Sequence, residues 1–104
     1  MIRIEYRSRQ GQLCGFCITG HAGAGTVGND IICAAVSSAA YMAANTLTDV
    51  LMLPTDTAVS DGRMELTVSG DMDAAQPILS GFRMHIEALH EQYPDRVQLT
   101  TTEV

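Results

Sequence analysis

The sequence predicts a single α+β domain in which a mainly antiparallel sheet carries two helices. Three observations lead to this class: alternating apolar residues mark short strands, two longer segments have the apolar spacing of helices, and turn-forming residues separate the strands into pairs. The predicted order is β-β-α-β-β-α-β. A length of 104 residues suits one domain over 1–104 and is too short for two.

The first predicted hairpin occupies the start of the chain. Ile2, Ile4 and Tyr6 alternate with charged residues, as in a strand with one buried face. A turn at 10–12 leads into a second strand over 13–19. The next segment, residues 20–29 with the sequence GHAGAGTVGN, has four glycines and no apolar periodicity, so we expect a flexible loop there.

A long helix is expected after this loop. It begins at Asp30, a residue type that favours helix N-caps, and is expected to reach about Leu53, with Pro54 closing it. Apolar residues cover most of its circumference. That pattern predicts burial on more than one side, either between layers of the domain or at a subunit interface.

The second half of the chain repeats the order of hairpin and helix. Strands over 56–60 and 63–69 flank Asp61-Gly62, a dipeptide that favours a two-residue type I′ turn. The second helix is expected to begin in an acidic turn at Asp71 and to end at Pro94. Its apolar face consists of Ile78, Phe82, Ile86, Leu89 and Tyr93. A short strand over 97–99 completes the sheet.

Composition excludes several classes of protein. The formal net charge is −6, with six Lys and Arg in total, which is too few for the basic surface that binds nucleic acid. No run of 18 uninterrupted apolar residues predicts a transmembrane helix. The first residues alternate and do not have the layout of a signal peptide, so we expect a cytoplasmic protein without a membrane partner. Three cysteines in such a chain do not form a disulfide framework.

Cys33 is the strongest candidate for a nucleophile. With Asp30 as N-cap, Cys33 is the third helical residue, where unpaired N–H groups and the helix dipole lower a thiol pKa. His21 ends the preceding strand, and the loop between them is long enough to bring its imidazole to the sulfur. A nucleophile beside a base is the minimum for covalent catalysis. From the residues alone, a cysteine that only fills the core remains the alternative.

Two further residues are candidates for supporting roles. Asp30 either caps the helix through the N–H of Cys33 or a neighbour, which we favour, or orients His21 as the third member of a triad. Ser37 lies one turn after Cys33 and either hydrogen-bonds in the site or bonds back to the carbonyl of Cys33. Backbone N–H groups at the helix start, including that of Cys33, are the expected oxyanion donors.

The glycine-rich loop is the expected substrate contact. Its candidate residues are Gly20, Ala22, Gly23, Gly25 and Gly28. We expect the part over 22–29 to be mobile without substrate and to order over a bound peptide. The same residues match the dinucleotide fingerprint GxGxxG, but the strand before them is in a hairpin and not in a parallel βαβ unit, so nucleotide binding is disfavoured.

Two other readings use the remaining cysteines. Cys14-Gly15-Phe16-Cys17 matches the redox pattern CxxC, but it lies on a strand, where cysteines three apart point to opposite faces. The rival from another class is a zinc-binding or non-catalytic dimeric module that uses Cys14, Cys17, His21 and Cys33. The strand geometry opposes both thiols reaching one ion. We therefore expect no metal and no cofactor.

The motifs resemble a known family. GHA at 20–22, DIIC at 30–33 and AAVS at 34–37 are similar to the ribosomal-processing cysteine proteases known as the Prp family, and the similarity of element order extends over nearly the whole chain. One departure is Gly23-Ala24-Gly25-Thr26, where members often have an aromatic or larger polar residue.

The resemblance implies a specific activity. It implies His21 as base and Cys33 as nucleophile, with Asp30 and Ser37 in support. It also implies removal of the N-terminal extension of the large-subunit ribosomal protein L twenty-seven by cleavage after an aromatic residue, and a homodimer as the working form. These remain expectations at this point.

Overall fold

The computed structural model describes residues 1–21 and 30–104, and it builds the domain from two hairpins, two helices and a last strand. The elements are β1 (Ile2–Arg9), β2 (Gln12–Gly20), α1 (Ile31–Asn45), a π-helical turn (Thr46–Val50), β3 (Thr55–Ser60), β4 (Arg63–Val68), α2 (Met72–Gln92) and β5 (Val97–Glu103).

All five strands form one sheet in the order β3-β4-β2-β1-β5. The pairs β1–β2, β2–β4 and β3–β4 are antiparallel, whereas β5 runs parallel to β1. The predicted fold class, a mainly antiparallel sheet with two helices, is therefore confirmed. Strands β3 and β5 form the two edges of the sheet, and three strands separate them.

The core lies between the sheet and the two helices, which contact each other. At its centre, Phe16 of β2 stacks on Phe82 of α2 with ring centroids 4.2 Å apart and planes 19° from parallel. Tyr6 of β1 meets the same Phe82 ring edge-on at 6.5 Å. Aromatic pairs in such arrangements add about 0.5–1.5 kcal/mol each to the stability gained from burial. This packing fixes the helices against β1 and β2.

The opposite face of the sheet is charged. Arg7 of β1 lies between two carboxylates, with Nε 3.0 Å from Glu5 and Nη1 2.8 Å from Glu65 of β4. These hydrogen bonds to Arg7 lower the pKa of both carboxyl groups below the ordinary value. Cys17 lies among them on β2, paired with Glu5 on one side and Glu65 on the other. Burial raises the pKa of its thiol.

The long central helix ends earlier than the sequence predicts. Regular α-helix stops at Asn45, a π-helical turn continues to Val50, and Leu51 N–H donates to Thr46 C=O at 2.8 Å across that turn. Met52 then adopts a left-handed φ of 54°, and Leu53 N–H returns to Leu47 C=O at 2.9 Å. This closure resembles the Schellman motif of a helix C-terminus, but its bond reaches back six residues instead of five, as the wider π-helical turn requires.

Burial of this helix also differs from the expectation. Within the chain α1 buries one side only, formed by Ile32, Val36, Ala39, Ala40, Ala43 and Ala44. Its other side leaves Ile31 and Met42 exposed, at 70% and 56% of their surface. Within the described chain the helix is therefore not buried between layers, and burial of this side at a subunit interface, the other alternative, stays a prediction.

Two local predictions need correction. Among the residues that the structure describes, the non-glycine residues with positive φ are Gln10 and Met52, so Asp61 is not left-handed and the Asp61-Gly62 turn is not type I′. The last strand extends over Val97–Glu103 instead of stopping at residue 99, because its polar half pairs in register with β1.

One helical segment has the length and hydropathy of a membrane-spanning helix. Ile31–Val50 is long and apolar enough to span a bilayer when length and composition alone are considered. In this fold its small buried residues pack in the core against α2 and the sheet. Core helices of globular domains have the same composition, and the buried side of this segment has that role here.

Candidate active site

Cys33 lies in the first turn of α1, where a side-chain cap fixes its backbone. Asp30 is the N-cap, in extended conformation with φ −83° and ψ 91°, and its Oδ1 accepts from Cys33 N–H at 3.0 Å. The first helical bond, from Ala34 N–H to Asp30 C=O, is 3.1 Å long. The favoured reading of Asp30 as a cap is therefore seen in the structure. This cap places the partly exposed Cys33 at the positive end of the helix dipole.

His21 lies at the end of β2, where hydrogen bonds hold the backbone from two sides. Gly20 N–H donates to Gly62 C=O at 2.9 Å, and the amino group of Met1 donates to the carbonyl of His21. Gly20 has a φ of +85°, and a Cβ there would lie 2.5 Å from Met1 O, so no larger residue fits. The imidazole itself is exposed to solvent.

The β3–β4 turn lies beside the histidine ring. Gly62 has a φ of +71°, and a Cβ at this position would lie 3.4 Å from Nε2 of His21. Because Gly62 also accepts the hydrogen bond from Gly20, the turn holds the backbone before His21 and lies close to its ring. Sequence reasoning identified Asp61-Gly62 as a turn but not as a neighbour of His21. Only the pairing of β4 with β2 brings them together.

A cleft of about 160 Å³ joins these parts. His21 and Cys33 both line it, together with Ser37 and Tyr41 from the same side of α1. Its apolar lining comes from the sheet and the helix and consists of Ile2, Ile18, Val36, Ala40, Val59 and Met64. The structure thus brings the predicted base and nucleophile to one cavity, with an apolar surface beside them that could accommodate a side chain of a ligand.

Other predicted site residues have different outcomes. Ser37 is exposed in the cleft lining, one turn after Cys33, and Gly20 lines the same cleft. The N–H of Cys33, expected as an oxyanion donor, is hydrogen-bonded to Asp30 in this structure. Ala22, Gly23, Gly25 and Gly28, and with them the expectation of a mobile loop over 22–29, lie outside the described residues.

The remaining cysteines take no part in this cavity. Cys14 and Cys17 are buried, with 0% and 5% of their surface exposed, and Cys17 belongs to the charged face of the sheet. Within residues 1–21 and 30–104, no three His, Cys, Asp or Glu side chains gather closely enough to hold a metal ion. The zinc reading needs Cys14, Cys17, His21 and Cys33 to converge, and the arrangement of these four described residues does not provide it.

Sequence reasoning missed one wall of the cleft. Val59, Ser60, Gly62 and Arg63 line it from the second hairpin. Apart from the turn at Asp61-Gly62, no motif marks these residues, since their role depends on the lateral order of strands and not on their spacing from Cys33. The signal in the sequence is Val59, the one large apolar residue of β3.

Comparison with known proteins yields one family and several similar structures. The family described as cysteine protease Prp matches residues 1–98. A search of curated proteins gave no match. The S. aureus ribosomal processing protease Prp, solved with a covalently linked product peptide, superposes with a TM-score of 0.91 at 24% identity, covering 98% of this chain and 100% of that one.

Two further structures have the same fold. SMU.848 from Streptococcus mutans has a TM-score of 0.85 at 25% identity and covers 100% of this chain and 99% of its own. The S. aureus protease solved with a substrate peptide has a TM-score of 0.85 at 24% identity, over 98% of this chain and 100% of that chain.

Proposed function

This chain belongs to the Prp family of cysteine proteases, and from that premise we propose that it removes the N-terminal extension of the large-subunit ribosomal protein L twenty-seven. The S. aureus relatives are ribosomal processing proteases with peptides bound, which supports a ribosomal protein as the substrate class. Cleavage after an aromatic residue of that extension agrees with the apolar lining beside Cys33.

One observation carries the proposal: Cys33, in the first turn of α1, and His21, at the end of β2, line one cleft. Cys33 is the nucleophile of the proposed dyad and His21 is its base. The helix start stabilises a thiolate at Cys33, and the neighbouring imidazole takes up the proton. Neither residue needs a metal ion for this chemistry.

The proposed reaction has two stages. Cys33 Sγ attacks the scissile carbonyl carbon, the C–N bond breaks, and imidazolium His21 gives its proton to the leaving amine. This leaves a thioester between Cys33 and the acyl part of the substrate. Water, deprotonated by neutral His21, then attacks the thioester carbonyl carbon, and the C–S bond breaks. This regenerates the Cys33 thiolate beside imidazolium His21, and the acid product gives its proton to solvent and leaves as the carboxylate.

The proposed supporting roles follow from the first turn of α1. Asp30 holds the backbone of Cys33 in place, and Ser37 offers a hydroxyl inside the cleft. First-turn N–H groups are the proposed oxyanion donors. For the Cys33 N–H to join them, its bond to Asp30 must be shared with the oxyanion or lengthened. Gly20 and the loop residues Ala22, Gly23, Gly25 and Gly28 complete the proposed substrate contacts.

The decisive test replaces the two members of the dyad. Cys33→Ala, Cys33→Ser and His21→Asn are assayed against a peptide that spans the leader of the ribosomal protein. We expect each variant to lose cleavage by about 10³-fold or more, since members of a nucleophile–base pair act as a unit. Circular dichroism checks folding, and Cys17→Ser, remote from the cleft, is the control. Full cleavage by folded Cys33→Ala would refute the assignment.

We also propose that the protein works in the cytoplasm as a homodimer that does not bind nucleic acid. The net charge of −6 supports the last point. For the dimer, the support is the exposed apolar side of α1 and a groove of about 450 Å³ between α1 and α2, lined by residues such as Met42, Ile78 and Phe82.

A further inference from the structure

The open edge of the sheet beside the cleft is formed by β3. This strand pairs with β4 along its whole length, from Thr55↔Val68 to Ser60↔Arg63, without a register shift. Its residues Val59 and Ser60 line the cleft that holds Cys33. The other edge, β5, lies three strands away and contributes no described residue to that lining.

The direction of the main-chain groups on β3 follows from the ladder. Gly20 N–H bonds to Gly62 C=O, so Gly62, Met64 and Leu66 direct their groups toward β2. The alternate residues of β4, which are Arg63, Glu65 and Thr67, therefore face β3. The residues of β3 paired with them, which are Ser60, Ala58 and Asp56, use their N–H and C=O groups in hydrogen bonds to β4. Thr55, Thr57 and Val59 consequently direct their N–H and C=O groups outward.

This edge lacks the features by which proteins protect exposed strands. Its sequence, TDTAVS, contains no Lys and no Pro, its pairing has no bulge, and its one charged residue is Asp56. Within the described part of the chain, no backbone group is hydrogen-bonded to the outward side of Thr57 or Val59. A template of this kind accepts an extended peptide as an added strand.

We propose that the substrate peptide binds as a sixth strand along β3, hydrogen-bonded to the main chain of Thr57 and Val59, and so enters the cleft at Cys33. This inference rests on the proposed protease function and names its mode of recognition. Val59 is paired with the buried Met64, so its side chain and those of Thr57 and Thr55 lie on the helix side of the sheet. Alternate side chains of the peptide then face α1, where Tyr41 is half-exposed in the cleft lining.

The first test uses the wild-type protein and a series of leader peptides, each N-methylated at one backbone amide on one side of the scissile bond. Strand addition predicts alternation: every second methylation lowers kcat/KM by about tenfold or more, because it removes one main-chain bond and blocks pairing, while those between have little effect. If methylation at every position changes kcat/KM by a similar factor, strand addition is overturned and the protease function is left intact. Failure to cleave the unmodified peptide would overturn both.

The second test changes the edge itself. Thr57→Pro removes an outward N–H that has no partner in the sheet, a position where an edge strand tolerates proline. Its matched control is Thr101→Pro on β5. Because Ile2 N–H bonds to Arg96 C=O in the parallel ladder, Gln98, Thr100 and Thr102 face β1 and Thr101 faces outward.

The two variants are expected to differ in peptide binding. Thr57→Pro should raise KM about tenfold with kcat within about threefold, whereas Thr101→Pro should leave both unchanged. Equal effects of the two variants would overturn the proposal. A Thr57→Pro variant that sediments as a monomer while the wild type sediments as a dimer would also overturn the proposal. In that case a second copy of the chain, and not the peptide, would cover this edge in the wild-type protein. If Thr57→Pro does not fold, the N-methylation series on the wild-type protein decides, by whether kcat/KM alternates along the peptide.

Discussion

At the scale of single residues, Asp30 controls how Cys33 is presented. Its carboxylate accepts from the N–H of Cys33 and begins the helix, so the backbone of the proposed nucleophile is held by a side chain three residues away. A carboxylate near a thiol also disfavours the thiolate unless its charge is engaged in hydrogen bonds. The cap bond engages it in that way and makes the two roles compatible.

Replacement of Asp30 separates capping from a triad role. Asp30→Asn keeps an oxygen acceptor for the Cys33 N–H, so we expect stability within about 0.5 kcal/mol of wild type, whereas Asp30→Ala should lose about 1 kcal/mol. Chemical denaturation measures both. For the Asn variant, a capping role predicts kcat within about threefold of wild type. A loss on the order of 10⁴, as when a triad carboxylate becomes an amide, would contradict it.

The start of α1 could be predicted from the sequence because its cause is local. Asp30, three residues before Cys33, is a good cap wherever the rest of the chain lies. The roles of Gly62 and Val59 could not be predicted, since they reach the site only through the pairing of β4 with β2 and β3. The candidate dyad could be predicted because His21 and Cys33 lie close together in the sequence, on either side of residues 22–29.

At the scale of elements, the long helix ends where side-chain hydrogen bonds accompany a change in helix geometry, and apolar periodicity does not reveal these bonds. Two threonine hydroxyls bond back to carbonyls one turn earlier, Thr46 to Met42 at 2.7 Å and Thr48 to Ala44 at 3.0 Å. Such bonds compete with regular helix geometry, and here they accompany the π-helical turn. An apolar pattern that continues to Leu53 therefore predicts a longer α-helix than the structure has.

Met52 offers a test of this helix end. Its φ of 54° and exposure of 80% mean that the side chain gains little burial while the backbone occupies a region unfavourable to residues with a Cβ. Met52→Gly should stabilise the protein by about 0.5–1 kcal/mol, the relief of strain less the entropy that glycine adds to the unfolded chain.

The matched control for this test is Met84→Gly. Met84 is similarly exposed, at 74%, but lies inside α2, so the same replacement should destabilise by about 1 kcal/mol. Urea unfolding curves of the two variants, compared with the wild-type curve, give both values. Destabilisation by both would show that the backbone of Met52 is not strained.

At the scale of the whole molecule, the surface is unevenly divided. One face of the sheet has the ion pairs around Arg7, whereas the far side of the helices leaves an apolar groove in which Met42 is exposed. A groove of this kind on a small acidic protein favours association with another copy, and that is the surface we assign to the proposed homodimer.

A charge in the groove tests this assignment. Met42→Glu should convert the dimer to a monomer, because two copies of a carboxylate would be buried without a partner at a symmetric interface. Met84→Glu is the control, since Met84 is exposed on α2 and does not line the groove. Analytical ultracentrifugation at several protein concentrations measures the mass. A dimer that persists in Met42→Glu would place the interface elsewhere.

The two ends of the chain lie at opposite ends of β1. The Met1 amine bonds to the carbonyl of His21, whereas Val104 N–H bonds to Ser8 C=O, about 20 Å along the strand at ~3.3 Å per residue. An affinity tag fused ahead of Met1 would emerge beside His21, the proposed base, and crowd the proposed entrance for peptides. The same tag after Val104 would leave that entrance clear, which makes the carboxyl end the place for purification handles, fluorophores or surface tethers.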